Sequence, residues 1–233
     1  MVMFVHCFDS KKLIPIMTNS ALRVLTSQDW LKAKIDYAVF YLDSLLVKPG
    51  LTVLQANLNL KQYYAYTGTL ILNLSRLKDI LHGYYVIRSE YDGSSINIAV
   101  TELLKLIIQL RPDYLVLPPD FMQLYGDYLS NYSHYNNQSI LYMDGLYYMN
   151  SLWLESDLPA VDAVNGKVYA QLGYLNLLDK RYNNDFALLA ENCSCFTCSN
   201  GYTRAYLSHI LQRIPLLAQR LLILHNMTYY LGE

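Results

Sequence analysis

Residues 191–210 read E-N-C-S-C-F-T-C-S-N-G-Y-T-R-A-Y-L-S-H-I, and this stretch decides how the C-terminal part of the chain folds. Three of the four cysteines, Cys193, Cys195 and Cys198, stand within six consecutive residues of it. Zn2+ is bound tetrahedrally by Cys thiolates and His nitrogens, and a short loop can supply three of the four ligands. The pattern therefore predicts a Cys3His zinc site, with the histidine on a helix packed against the loop.

Two histidines downstream could complete this site, and the cysteines also allow a second interpretation. His209 lies in the helix predicted directly after the loop, and His225 lies further on in L-L-I-L-H-N. The alternative to a metal is a disulfide with spare thiols. Three thiols this close, in a chain without signs of secretion, favour the metal.

The composition is that of a packed protein. The 233 residues are 53% hydrophobic and 16% charged, enough for one large domain or two small ones. The 23 tyrosines suggest half-buried positions and a protein-contact surface. A net charge of −1 argues mildly against a strong phosphate-binding face.

The sequence also bears on location. Residues 1–12 are apolar but carry neither a basic leader nor a small-residue cleavage site, which predicts a first strand rather than a signal peptide. No window of about 18 uninterrupted apolar residues occurs, so we expect no membrane span. Together with the close thiols, this favours a reducing, cytoplasmic compartment.

Strand and helix patterns alternate along the chain. Extended runs are predicted at residues 12–17, 36–40, 69–72, 84–88 and 114–117, and an amphipathic helix at 96–110. Thr26 and Asp29 resemble a capping box at a helix start. This rhythm is typical of a parallel sheet, as in a doubly wound fold or a (β/α) barrel. Residues 121–148 break it and predict a polar helix end and a loop. Further on we expect a strand at 152–154, a hairpin arm at 167–173, and helices at 204–212 and 216–229.

The C-terminal third resembles the tRNA-guanine transglycosylase family, which exchanges a guanine base in tRNA for a queuine-type or preQ1-type base. The resemblance rests on N-G-K-V-Y-A (165–170), L-N-L-L-D-K-R-Y-N-N-D-F (175–186), C-S-C-F-T-C (193–198), Y-T-R-A-Y-L-S-H-I (202–210) and R-L-L-I-L-H-N (220–226). It implies that the zinc ligands are Cys193, Cys195, Cys198 and His225, and that His209 is a non-ligand histidine.

The N-terminal half is similar to the same family more faintly. The matching segments are L-T-S-Q-D-W (25–30), V-K-P-G (47–50), T-G-T-L-I-L (67–72) and R-S-E-Y-D-G (88–93). The resemblance implies a barrel-type α/β domain before the zinc-binding part.

The residues that carry the family's chemistry are changed. N-L-S-R-L-K, beginning at Asn73, stands where the family has D-S-G-G-F-Q, so an amide replaces the carboxylate that could take up a proton. In L-E-S-D-L-P-A-V-D-A-V-N-G (154–166), Glu155 takes the place of the nucleophile. Strand alternation would point Asp157 to the same face as Glu155. Val161 and Val164 stand where the family has two arginines. The base-contact segment appears as L-P-P-D, with Asp120 displaced by about one position.

A segment of the family that walls the base pocket is absent, which leaves too little chain for eight barrel strands. We therefore predict an α/β fold in which residues 1–164 form a partial or rearranged (β/α) TIM-type barrel with a remodelled connection at 121–152. Residues 165–233 are predicted to form a zinc-binding helical subdomain.

Three functional hypotheses follow. In the first, the chain is a non-catalytic relative, a pseudoenzyme that keeps its zinc subdomain as a scaffold for protein partners. In the second, it is an enzyme with altered chemistry that uses Glu155 or Asp157 as nucleophile. In the third, it is a tRNA-binding accessory subunit, whose phosphate contacts would come from scattered basic residues: Lys180, Arg181, Arg204, Arg213 and Arg220.

Overall fold

The computed structural model describes residues 12–56, 59–77, 80–81, 83–118, 121–135, 141–144, 153–171 and 173–231. The chain forms two compact units. The first contains Tyr37–Trp153, and the second combines Lys12–Asp36 with Leu154–Glu233. Residues 1–11 of the predicted first strand at 1–12 and the candidate Asp120 lie outside the described residues. The predicted division at residues 164 and 165 stays a prediction.

The first unit is built on a parallel sheet. Its strands are β2 (Tyr37–Tyr41), β3 (Thr69–Asn73), β7 (Tyr114–Leu117) and β8 (Leu141–Asp144), hydrogen-bonded in the order β2-β3-β7-β8. The first three read as continuous apolar runs and are buried along most of their length, as expected of parallel strands covered on both faces. Tyr41, at the end of β2, lies opposite Asn73, at the end of β3.

Helices and a second small sheet complete this unit. The helical segments are α2 (Leu42–Leu45), a π-helical turn (Leu46–Gly50), α3 (Leu51–Gln55), α4 (Leu60–Tyr64), α5 (Val100–Leu110) and α6 (Phe121–Tyr135). The second sheet is an antiparallel arrangement of β4 (Ile80–Leu81), β5 (Tyr84–Arg88) and β6 (Ser95–Ala99).

The predicted helix at 96–110 begins later in the structure. Residues Ser95–Ala99 form β6, and α5 begins at Val100. The chain reverses at Gly93, whose φ is +70°, and Ile98 then pairs opposite Tyr85 of β5. Apolar residues at 96 and 98 fit both a strand and the start of a helix, so spacing alone did not separate them.

The segment after β7 carries more regular structure than the predicted loop. Helix α6 spans fifteen residues, Phe121–Tyr135, and β8 pairs in parallel with β7. Because β7, α6 and β8 follow one another as strand, helix and parallel strand, they form a βαβ unit.

The second unit surrounds a long C-terminal helix. Its elements are β1 (Lys12–Pro15), a 3-10 turn (Ser20–Val24), α1 (Ser27–Lys32), β9 (Trp153–Ser156), α7 (Leu158–Val164), β10 (Lys167–Ala170), β11 (Gly173–Asn176), a 3-10 turn (Lys180–Tyr182), α8 (Phe196–Ser199), α9 (Arg204–Arg213) and α10 (Pro215–Tyr230). Strand β1 pairs with β9, and β10 with β11 form an antiparallel hairpin. The capping box of Thr26 and Asp29 is confirmed at the start of α1.

The fold class is therefore mixed α/β with a parallel sheet. The described strands do not close into a barrel, and the origin of this sheet in a TIM-type barrel stays a prediction. In the described ranges no helix has the length and apolarity needed to cross a membrane.

Candidate metal centre

The loop geometry follows from the C-x-x-C spacing at the start of a short helix. Cys195 is the N-cap residue of α8, and its sulfur accepts a hydrogen bond from the backbone N–H of Cys198 at 3.3 Å. Residues three apart at a helix start lie on one side of it, so the two thiols face the same point. Cys193 reaches this point from the preceding turn.

His225 supplies the fourth side chain. It lies in the middle of α10 and is fully buried. Its Nδ1 lies 3.6 Å from Sγ of Cys193, 3.3 Å from Sγ of Cys195 and 3.4 Å from Sγ of Cys198. The four ligand atoms all lie within 4.8 Å of one another.

These distances fit a tetrahedral zinc ion. With Zn–S near 2.3 Å and Zn–N near 2.0–2.1 Å, the sulfur-to-nitrogen edge of the tetrahedron is about 3.6 Å. The three observed edges, 3.3 to 3.6 Å, lie close to this value. Three thiols and one imidazole are also the ligands of structural zinc sites, in which no position is left open for a substrate.

The imidazole is oriented from its other side. Nε2 of His225 donates a hydrogen bond to the backbone carbonyl of Tyr169 at 2.8 Å, which leaves the lone pair of Nδ1 directed at the thiols. Metal-bound histidines are held in this way by a carbonyl or carboxylate that fixes the tautomer. The ring is thus placed for metal binding by backbone that lies outside the cysteine loop.

The pKa values of Cys195, Cys198 and His225 are linked through the hydrogen bonds of the cluster. A hydrogen bond from Cys195 lowers the pKa of the Cys198 thiol to about 4, and the same contact, with burial, raises the pKa of Cys195. Burial alone lowers the pKa of His225, but hydrogen bonds with Cys193 and Cys198 raise it to about 9. A divalent ion bound here would displace the protons shared among these groups and stabilise the thiolates and the neutral imidazole.

In the structure, the fourth side chain of the cluster is His225 on α10, as the family resemblance implies. His209, the nearer histidine, is exposed on α9 and is not among the side chains gathered at the cluster. Spacing alone left both histidines open, because helix packing decides which of them reaches the loop.

The candidate remnants of a catalytic site fall in different units. Asn73 is buried at the end of β3 in the first unit, where its Oδ1 accepts a hydrogen bond from the backbone N–H of Ser75 at 2.9 Å. Glu155 lies in β9 of the second unit and is half-buried.

Asp157 does not continue the strand, contrary to the expected alternation with Glu155. Strand β9 ends at Ser156, and Asp157 is the residue before helix α7. Its carboxylate accepts a hydrogen bond from the side-chain amide of Asn19. Helix α7 was not predicted, although Pro159 in its first turn and the small apolar residues that follow are compatible with a helix.

Ion pairs hold three of the five basic residues proposed to contact phosphate. Arg220 binds Asp29, Arg204 binds Asp185 at 3.0 Å, and Arg181 lies 3.2 Å from Asp179. Each of these pairs is neutral as a whole, so these three arginines and their partners add no net positive charge.

The fold and this cluster define a mixed α/β protein with a closed, structural type of Cys3His metal site. Residues 153–233 match the model of the queuine tRNA-ribosyltransferase family. The queuine tRNA-ribosyltransferase of Lawsonia intracellularis is 47% identical over 75 residues, which make up 32% of this chain and 20% of that protein. That of Lachnospira eligens is 40% identical over 72 residues, 31% of this chain and 19% of that protein.

The C-terminal third of the chain, residues 153–233, is therefore similar to the queuine tRNA-ribosyltransferase family. The match spans about a fifth of the length of these curated relatives. The residues matched by the family model include Glu155, Asp157 and all four residues of the metal cluster. The fainter resemblance of the N-terminal half lies outside the matched residues and stays a prediction.

Proposed function

We propose that the chain is a non-catalytic, tRNA-guanine transglycosylase-like zinc protein that serves as a scaffold or protein-interaction subunit of a larger complex in the cytoplasm. The observation that carries the proposal is a contrast. The metal cluster is complete, while the positions of the family's chemistry carry changed residues: Asn73 in place of a carboxylate, Glu155 in place of the nucleophile, and Val161 and Val164 in place of two arginines. Structural zinc contributes folding free energy directly, so a zinc site is useful without catalysis.

The contacts of the substituted residues support this proposal. Asn73 cannot take up a proton, and its amide oxygen is engaged by the backbone of Ser75. Val161 and Val164 are half-buried on α7 and carry no charge for a phosphate or base. Asp157 is bound by Asn19. We regard the parallel sheet of the first unit as the remaining part of a (β/α) barrel.

The second unit also exposes apolar side chains suited to a protein partner. Phe186 is 76% exposed, Leu216 67%, Tyr174 61% and Leu178 52%. Large aromatic and aliphatic side chains anchor many protein interfaces. This unit holds the metal cluster, so the proposed contact is through the zinc subdomain.

Catalysis is tested by base exchange. The purified, zinc-loaded full chain is incubated with tRNA and labelled guanine, beside Glu155→Ala and the matched control Glu191→Ala, which changes an exposed glutamate. We expect no incorporation above background for any of the three proteins. Incorporation that persists in Glu191→Ala and disappears in Glu155→Ala would show a surviving enzyme with Glu155 as nucleophile, and the proposal would be wrong.

Partner binding is tested by recovering complexes from the native cell with the wild type and with Phe186→Asp. We expect the variant to lose a partner that Leu124→Asp retains, because Leu124 is 65% exposed in the first unit and serves as the matched control. Equal recovery by all three proteins would argue against a contact at Phe186.

A tRNA-binding accessory role is tested separately with the purified chain. Salt-sensitive tRNA binding would support that role, and no binding at low salt would exclude it.

A further inference from the structure

One residue next to the metal cluster makes contacts that neither the cluster nor the proposed scaffold role explains. Asn226 follows His225 on α10 and is fully buried. Its side-chain amide donates to the carbonyl of Pro159 at 3.0 Å and to the carbonyl of Lys167 at 2.9 Å. Its Oδ1 accepts from the N–H of Tyr169 at 3.0 Å. The amide nitrogen and the amide oxygen of Asn226 are thus hydrogen-bonded to the backbone of α7 and β10.

These contacts surround the carbonyl that orients His225. Asn226 binds strand β10 at Lys167 and Tyr169, on both sides of Val168. The Tyr169 carbonyl then accepts the hydrogen bond from Nε2 of His225. The strand therefore cannot shift along α10 without breaking the bonds to Asn226, and the imidazole keeps its direction.

The same side chain connects the metal cluster to helix α7. Pro159 lies in the first turn of α7, two residues after Asp157 and four after Glu155. Its carbonyl, in the first turn of a seven-residue helix, is held by the neighbour of a metal ligand. Helix α7 also packs along α10, with Ala160 and Ala163 fully buried.

We propose that Asn226 is a positioning residue that couples metal binding to the order of residues 158–170. When His225 is bound by the metal, Asn226 holds β10 and the start of α7 in their observed places. When the metal is removed, His225 is released and both backbone segments lose a fixed support. The segment that follows Glu155 is then ordered by the metal, although it supplies no ligand. This holds for a scaffold and for an enzyme alike, so it does not rest on the proposed function.

The first test measures metal affinity. Zinc competition with a chromophoric chelator compares wild type, Asn226→Ala, Asn226→Asp and the control Thr228→Val. Thr228 is a buried polar residue of the same helix whose hydroxyl donates to the Leu224 carbonyl within the helix. We expect a loss of about 10- to 100-fold in affinity for the Asn226 variants, the range found when the support of a metal ligand is removed. Thr228→Val should bind as the wild type does. Equal affinity in all four proteins would overturn the proposal.

The second test needs no variant, so it remains decisive if an Asn226 variant does not fold. Amide hydrogen exchange of the wild-type chain is followed with zinc bound and after chelation. We expect residues 158–170 to exchange faster once zinc is removed, beyond the change at the cysteine loop itself. Exchange at 158–170 that does not respond to zinc would refute the coupling. The same measurement also compares the two variants, both saturated with zinc. Faster exchange of residues 158–170 in Asn226→Ala than in Thr228→Val would support the coupling, and equal exchange would contradict it.

Discussion

Replacing Arg220 by methionine should strongly destabilise the second unit. Asp29 is completely buried, and Arg220 binds it with Nε at 2.9 Å and with a terminal guanidinium nitrogen at 2.7 Å. The same carboxylate accepts hydrogen bonds from the backbone N–H and the hydroxyl of Thr26. Without Arg220, one buried charge remains with only the two Thr26 donors.

The magnitude follows from the exposure of the two partners. Removing one partner of a buried ion pair costs about 3–5 kcal/mol. Because the Arg220 side chain is 38% exposed, solvent screens part of its interaction. We therefore expect the free energy of unfolding to fall by about 2–4 kcal/mol. The exposed Arg213→Met is the matched control and should change it by no more than about 0.5 kcal/mol.

The pH dependence gives a second, independent signature. Burial would raise the pKa of Asp29, but the hydrogen bonds from Arg220 and Thr26 outweigh it, and the folded-state pKa lies below the usual value. The contribution of the pair is thus present above the unfolded pKa, about 3.9, and is lost as the pH falls through the lowered folded value. In Arg220→Met burial is less opposed, so the carboxyl accepts a proton more readily. The stability difference between the two proteins should narrow as the pH falls from 7 to about 3, through the lowered folded pKa.

The assay is urea unfolding followed by the fluorescence of Trp30, which is buried next to Asp29, in a Trp153→Phe background. The double variant Asp29→Asn, Arg220→Met should be less destabilised than Arg220→Met alone, because no charge remains buried. Equal unfolding free energies for Arg220→Met and Arg213→Met would refute the reasoning. So would a stability difference that stays constant from pH 7 to about pH 3.

Three further predictions concern the metal and the backbone. The full chain should contain one zinc ion by elemental analysis; Cys195→Ser should lose it and unfold the second unit, whereas Ser194→Ala should retain it. Zinc affinity should fall as the pH is lowered from 8 to 6, because protons compete for the thiolates and the imidazole, and a pH-independent affinity in a chelator competition would argue against thiolate ligands. Gly166→Ala should lower the free energy of unfolding, measured by thermal unfolding, by more than about 1 kcal/mol. The φ of Gly166 is +76°, and the new Cβ would lie 2.9 Å from Leu211 and 3.1 Å from Leu178. Gly201 has a similar φ of +75° but no atom within 4 Å of its added Cβ, so Gly201→Ala measures the backbone strain without the clash.

Local patterns predicted the elements whose determinants lie close together in sequence. The apolar runs of β2, β3 and β7, the capping box at Thr26 and the last two helices each depend on residues within about one or two turns. Prediction was weaker where two local structures share one pattern. Ile96 and Ile98 fit a strand and a helix equally, and pairing with β5 selected the strand.

The metal site was likewise predictable from the sequence only in part. The resemblance named all four residues of the metal cluster, and the structure brings their ligand atoms together. Asn226 was not predicted to take part in the site, although it stands beside His225 in R-L-L-I-L-H-N (220–226). An asparagine inside an apolar helix is a signal for a buried polar network, but its partners are backbone groups 57 to 67 residues away.

The C-S-C-F-T-C loop was determined by the sequence alone, because a C-x-x-C at a helix start fixes the separation of its thiols over a single turn. The selection of His225 over His209, the support of its ring by the Tyr169 carbonyl and the pairing of Asp29 with Arg220 across 191 residues were decided only by the tertiary structure. The physical reason is that a short-range pattern sets local backbone geometry, whereas a ligand, a support or an ion pair brought from elsewhere depends on which helix faces pack together.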